Sequence, residues 1–337
     1  MAYAIKKGSD YMKSVLWTGN GTTQDVDVGW NPGLTFTRNR TDASGGSIYD
    51  IIRGDTEFLQ STNTNVPASD SGNDFEFITN GFTVNNNGNI ANISTKNFVG
   101  WNWKGGESTV ENTDGTITSQ VSANPTSGFS VVKWTGTGSA GTIGHGLSAT
   151  PQFIIVKNLT YGVNWRAYHV ASGGTKYYSF NSNNAEGTSS LPWNNTAPTS
   201  SVFSVGTEDN TNRSSDEFIA YVWAPVAGYS KFGYYTGNGS TDGPFVYTGF
   251  RPAYIMIKRT VNAGGSWVIH DSSRNTYNVA DLNLYANVID GENSDAVLDF
   301  TSNGFKIRTT RLGENWSGDT FIYMAFAETS FKYSNAR

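Results

Sequence analysis

One phrase occurs three times in this chain: Trp-Thr-Gly-Asn-Gly from Trp17, Trp-Thr-Gly-Thr-Gly from Trp134 and Tyr-Thr-Gly-Asn-Gly from Tyr235. A repeat at this spacing restricts the chain to architectures that use one supersecondary unit several times. The segments after each phrase fall into step. A proline follows (Pro32, Pro151, Pro252), and in the second and third copies it precedes alternating apolar residues and a lysine, as in a strand opened by proline. Asp50, His169 and His270 come next at about the same point, and Phe82, Phe203 and Phe305 each centre a later strand. The copies close on Phe98, Trp101 and Trp103, on Phe218, Tyr221 and Trp223, and on Phe321, Met324 and Phe326. The span from the phrase's aromatic to the last of these is 86, 89 and 91 residues. Spacing of three then two predicts a bulge or a strand apolar on both faces.

The landmarks divide the chain into units at 12–105, 128–226 and 231–329, with an N-terminal arm at 1–11 and a C-terminal tail at 330–337. Polar, turn-rich residues at 106–127 read as a linker or extra hairpin, and the short join "APVAGYSK" favours a packed interface between the last two units. Sustained 3.6-residue periodicity is absent, and Tyr277–Ile289 is the best helical candidate. The expected fold is all-β: three tandem antiparallel β-sandwich repeats, jelly-roll or lectin-like, of about 95–100 residues each.

Composition narrows the function. Aromatics at 14% and charged residues at only 15% exclude disorder. A net charge of −5 without any Lys/Arg cluster lacks the basic stripe that nucleic acid requires. No cysteine is present, which removes disulfide scaffolds, cysteine zinc sites and thiol catalysis. The N-terminal residues hold no signal-peptide core and the chain no apolar membrane span. Synthesis in a cytoplasm is expected, and an adhesin-like composition then suits a virion protein released by lysis or the substrate of a non-signal-peptide exporter.

The phrase itself is a poor phosphate loop. It lacks the third glycine and following helix of a dinucleotide fingerprint and the Gly-Lys-Ser/Thr of a P-loop. Its glycines are expected to supply positive φ in a turn. His145, His169 and His270 have no Gly-x-Ser-x-Gly nucleophile beside them. Asp50, Glu76, Asp216, Glu217, Asp271 and Asp299 do not recur at one slot, so no glycosidase pair stands out. No enzyme, catalytic residue, metal ligand or cofactor is expected. Acidic loops at 68–76, 207–217 and 290–295 are candidates for calcium, though solvated turns explain them better. Tyr161, Trp165, Trp193, Asn194 and Trp316 stand among Asn, Ser and Gly, as rings and amides that contact a sugar face or a protein surface do. Packing of these rings between units or subunits is the competing reading.

Tyr235–Thr260, "NTDGTITSQVSANPTSGFSVVKWTGTG", "IGHGLSATPQFIIVKN" and the ending Phe321–Arg337 resemble repeat-bearing structural proteins of marine tailed bacteriophages, described as tail-fibre or concanavalin-A/laminin-G-like proteins. The resemblance runs from about Tyr11 to Arg337, and the first unit departs from it, since "NPGLTFTRNR" lacks the Pro-x-x-Ile-Ile-Val-Lys form. It implies a virion structural role without defined catalytic residues. Lectin-like folds do not by themselves imply sugar binding. The expectation is a tail-associated or fibre-like appendage protein that meets the host surface, with a glycan or protein there as partner. Other virion proteins and a homo-oligomer, a trimer first, are the remaining partners, and no nucleic acid or membrane insertion is expected. A flexible N-terminal arm would serve attachment and the C-terminal tail would dock on the last unit or a neighbour. A capsid decoration or head-fibre protein and a polysaccharide depolymerase are the alternatives.

Overall fold

The computed structural model of the chain describes residues 5–70, 74–85 and 91–327. The C-terminal tail expected at 330–337 lies outside the described residues. Three large antiparallel sheets share one run of four strands. In the first, the phrase strand Met12–Thr18 lies beside the closing strand Asn97–Trp103, then the proline-led strand Leu34–Asn39, then Ser47–Asp50. The second repeats the order with Phe129–Thr135, Glu217–Trp223, Phe153–Asn158 and Arg166–His169. The third repeats it with Ser230–Thr236, Thr320–Ala327, Pro252–Arg259 and Val268–Asp271. Smaller sheets face them: Gln24–Asp27 with Gly81–Val84 and Phe75–Ile78, and Gly141–Gly144 with Val202–Val205. In the third set the facing strands join the large sheet through the bulged pair Ala280–Tyr285 and Asn293–Thr301. The fold is an all-β assembly of antiparallel sheets.

The phrase aromatics lie inside the sandwiches. Trp17 stacks on Phe98, Trp134 on Phe218 and Tyr235 on Phe321, at centroid distances of 5.5, 5.3 and 5.2 Å. Each also meets the landmark phenylalanine of the facing strand edge-on: Phe82, Phe203 or Phe305. Such geometry suits the ring quadrupole, and the trio fixes the two layers against each other.

The two glycines of the phrase have different duties. Gly21, Gly138 and Gly239 adopt φ of 71°, 70° and 66°, a region costly for a side chain. Gly19, Gly136 and Gly237 press against backbone instead, where a Cβ would collide with the carbonyls of Ile93, Arg213 and Trp316. A buried asparagine holds each turn. Asn92, Asn212 and Asn315 accept from the amides of Asn20, Thr137 and Asn238 at 3.1, 2.9 and 2.9 Å. Their Nδ2 groups donate back to the carbonyls of Thr22, Ser139 and Ser240. Gly136→Ala is therefore expected to lower stability by about 1–3 kcal/mol through overpacking. A shift in the urea midpoint measures it, and an unchanged midpoint would contradict this account of the turn.

The closing strands are apolar on both faces and carry no bulge: Asn97–Trp103 pairs residue for residue with Met12–Thr18. Phe98 points into its sandwich, and Trp101 and Trp103 point the other way. That outer face is buried because the three large sheets pack on one another. Trp103 touches Trp223 at 5.7 Å, Phe326 at 5.8 Å and Tyr254 at 5.5 Å, edge-on in each case. One hydrophobic cluster runs through all three sheets. At its centre lies an apolar void of about 30 Å³, lined from every set by side chains such as Phe36, Trp103, Trp165, Trp223, Tyr254 and Met324.

Three sequence expectations need correction. Strand pairing sets Asp50 opposite Leu34, His169 opposite Phe153 and Asp271 opposite Tyr254, so Asp271 and not His270 is the third counterpart. Part of the helical candidate Tyr277–Ile289 is the strand Ala280–Tyr285, whose pairing outweighs a weak helical pattern. The arm is anchored over its described residues: Ile5 is buried in the shared core and Tyr11 packs edge-on against Tyr229. Residues 106–127 contain Val110–Asn112 and Ser119–Asn124, a hairpin that extends the second sheet beyond Phe129–Thr135.

Candidate functional site

Buried polar contacts join the sheets where they meet. The Tyr221 hydroxyl donates to Asp50 at 2.9 Å, joining the second set to the first. The Trp101 indole donates to Asp271 at 2.9 Å, joining the first to the third. His169 Nε2 donates to the Tyr323 carbonyl at 3.1 Å, joining the second to the third, while its Nδ1 accepts from the Ala171 amide. The contacts close a ring of three seams, each engaging one of the corresponding residues Asp50, His169 and Asp271. Asp50 and Asp271 each hold an arginine three residues on, Arg53 and Arg274, at 2.6 Å, with ends of the ion pairs fully buried. Burial drives the Tyr221 hydroxyl well above its usual pKa, so it stays a donor.

A second layer of each seam repeats too. The Trp165 indole donates to the Gln60 carbonyl and the Trp267 indole to the Ser179 carbonyl. In the first set Gly46 takes the tryptophan's position beside the Arg38 side chain, and Arg38 donates to the carbonyls of Val288 and Asp290 at 2.7 and 2.8 Å. Arg38 holds the slot of Lys157 and Lys258, as the pairing with the closing strands shows. The departure of "NPGLTFTRNR" from the lysine form is thus a specialised interface. Burial lowers the Lys157 ammonium to about 8, and burial with Arg259 lowers Lys258 to about 7.

All three histidines are buried. Burial depresses His169 to about 4 and His270 to about 3. The unfolded chain takes up these protons near 6.5 and the folded protein only near those lower values, so stability present above pH 6.5 is lost as pH falls through that window. His169→Gln is expected to flatten the fall between pH 6.5 and 4 in urea midpoints measured against pH. An unaltered acid limb would contradict it.

Of the sequence-derived ligand residues, two are closed to solvent. Trp165 is 0% exposed in the seam, and Trp193 is 1% exposed, edge-on to Tyr168. Neither offers a ring face to a ligand: beside Trp193 the asparagines Asn194 and Asn195 turn outward while the ring packs inward, and beside Trp165 even Arg166 is buried. Packing between units describes Trp165. Tyr161 and Trp316 are exposed by 46% and 50%, and Asn194 is exposed with φ of 50°. The Arg213 guanidinium lies 4.1 Å over the Tyr161 ring. Arg213 and Trp316 hold equivalent positions, each following the turn asparagine, so Tyr161 and Trp316 mark the same end of two sandwiches. The acidic loops spend carboxylates on internal donors. Asp70 accepts from Tyr49 and the amides of Asp74 and Phe75, Asp216 from Asn158, and Glu292 from Arg40. Among the described residues no group of three or more metal-ligating side chains is clustered.

One cleft distinguishes the third set. About 350 Å³ in volume, it is lined by Gly264, Ser266, Val268, Tyr285, Arg311 and Glu314 among others. The second set fills the corresponding place with an ion pair. Arg166, at the register position of Val268, meets Glu208 at 2.5 Å and lies over Tyr177. Val268 is too short to follow, and Arg311 stands where Glu208 does, four residues before the turn asparagine. Arg311 turns to Asp295 at 2.7 Å and to the Tyr285 hydroxyl at 2.9 Å. Glu314 is 1% exposed, and among the described residues neither carboxylate oxygen has a hydrogen-bond partner; the Arg311 Nε is 3.7 Å away. Burial raises its carboxyl to about 7, Arg311 opposing and Asp295 adding. Sequence reading missed this cleft; the swap of Arg166 and Glu208 for Val268 and Arg311 was its only signal.

Against known proteins, residues 7–330 match the model of a family described as a domain of unknown function. No curated protein and no solved structure matches.

Proposed function

The chain belongs to that family, DUF7483, and from this premise, which assigns no activity, we propose that it is a non-catalytic structural protein of a bacteriophage virion. In this reading it is a tail-associated or fibre-like appendage block that contacts the host surface. The observation that carries the structural role is the closed ring of seams around one aromatic core. Such a body holds its shape as a unit and leaves copy-specific side chains, Tyr161, Asn194 and Trp316 among them, at its surface. The placement in a virion rests on the resemblance of the repeated segments to phage tail-fibre-like proteins. Homo-oligomerisation and contacts with other virion proteins belong to the same proposal and are read by sedimentation velocity.

Antibody-labelled electron microscopy of intact virions tests the placement: label on the tail supports an appendage, and label absent from virions overturns the reading. Label on the head would favour a capsid decoration protein, which the internal threefold repetition also suits. Incubation with host polysaccharide separates the remaining alternative, since chain shortening would mark a depolymerase.

A further inference from the structure

We propose that the cleft beside Glu314 is a binding site for a saccharide unit, held through hydroxyl groups donated to the Glu314 carboxylate. The proposal deepens the host-contact reading, on which its biological meaning rests, but its chemistry stands on the cleft. Its volume of about 350 Å³ falls in the lower range of small-ligand sites, roughly 300–1,000 Å³. Its walls combine apolar surface from Val268, Val288 and Leu312 with the Tyr285 ring, and Gly264 and Gly313 keep it open. A carboxylate buried with both oxygens unpartnered is costly, and a ligand that donates to it removes that cost. No described donor of the cleft reaches hydrogen-bond distance of the Glu314 carboxylate, Arg311 Nε standing at 3.7 Å, so a ligand can bring donors.

The charges around it select the donor. Arg311 is already committed to Asp295 and Tyr285, yet its Nε stays 3.7 Å from Glu314. Asp290, Arg311 and Glu314 all line the cleft, so an ammonium would meet a guanidinium as well as carboxylates, whereas neutral hydroxyls meet no like charge. A divalent cation would need further carboxylates, and no such cluster exists among the described residues. The Arg311 side chain is 30% exposed and lies beside the carboxylate, so it must yield slightly as hydroxyls take their place. The carboxyl, raised toward neutrality by burial, returns to the ionised form when such donors bind.

The test is saturation-transfer NMR on the full chain with glucose, galactose, mannose and N-acetylglucosamine, each supplied as the free sugar. At least one is expected to bind, with methylammonium and calcium chloride failing to compete. Val268→Arg, which installs the side chain that closes the second set, should abolish the signal. Glu314→Gln should weaken binding about tenfold or more. Leu312→Arg, at an exposed rim position, serves as the blocking variant if Val268→Arg does not fold. No saturation transfer from any of the four sugars, or transfer that survives a folded blocking variant, overturns the proposal. A protein that binds host cells yet ignores the sugars overturns this inference alone, while one that binds the sugars but not cells supports it and removes the attachment reading.

Discussion

Asp271→Ala is expected to destabilise the protein by about 3–5 kcal/mol, because it removes one partner of a buried ion pair and leaves the other charged. In the native protein the Asp271 carboxylate accepts from Arg274 Nε at 2.6 Å, from the Arg274 amide at 2.9 Å and from the Trp101 indole at 2.9 Å. Alanine strands all three donors in a fully buried place. Asp50→Ala should behave alike, since Arg53 and Tyr221 converge on that carboxylate in the same geometry. His169 provides an internal control. The third seam has a neutral ring hydrogen-bonded to a carbonyl and no arginine, so His169→Ala should cost only about 1–2 kcal/mol beyond its lost packing. Adding Arg274→Met to Asp271→Ala should recover part of the loss by removing a buried charge left, among the described residues, with only Glu292, 3.8 Å away, as its counter-ion. Urea unfolding followed by tryptophan fluorescence reads the series. Equal, small losses at all three seams would show that the carboxylates do not organise the ring.

What the sequence discloses and what it hides divide along the lines of strand physics. The aromatic trios are legible because each comes from one copy, and repetition of Trp17, Phe82 and Phe98 fixes their partners. The seams are not. Trp101 and Asp271 lie 170 residues apart, and nothing local marks Trp101 as facing another sheet rather than solvent or core. The assignment of His270 to Asp271's slot shows how sharp register is, since a slip of one residue moves a side chain to the opposite face. Asn92, Asn212 and Asn315 keep a constant offset of six residues before Phe98, Phe218 and Phe321, a readable signal lost in an asparagine-rich background. Trp165 and Trp193 mislead for a related reason. The polar neighbours Asn194 and Asn195 describe the outward side of a turn while the Trp193 ring points inward, and beside Trp165 the polar Arg166 is itself buried. The cleft of the third set becomes visible only when Val268 and Arg311 are set against Arg166 and Glu208, and that comparison needs the register.

Trp103→Ala is expected to cost about 3–5 kcal/mol, the range for removing a large buried aromatic, and to do so in all three sets at once. Trp103 belongs by sequence to the first set, yet its neighbours Trp223, Tyr254 and Phe326 belong to the other two. A cavity there removes contacts from every sheet, beside a void already present that the surrounding rings have not closed. The unfolding of the native chain should accordingly be a single cooperative transition, since the outer faces of the three large sheets share one cluster, although the first two sandwiches also hold interior clusters of their own. Amide exchange followed by mass spectrometry separates the possibilities. In the variant, protection should fall by a similar factor in peptides from Leu34–Asn39, Phe153–Asn158 and Pro252–Arg259. Loss confined to the first of these would mean that the sheets open independently. Tandem units would then behave as neighbours on a string, and the rigid block on which the attachment role depends would not exist.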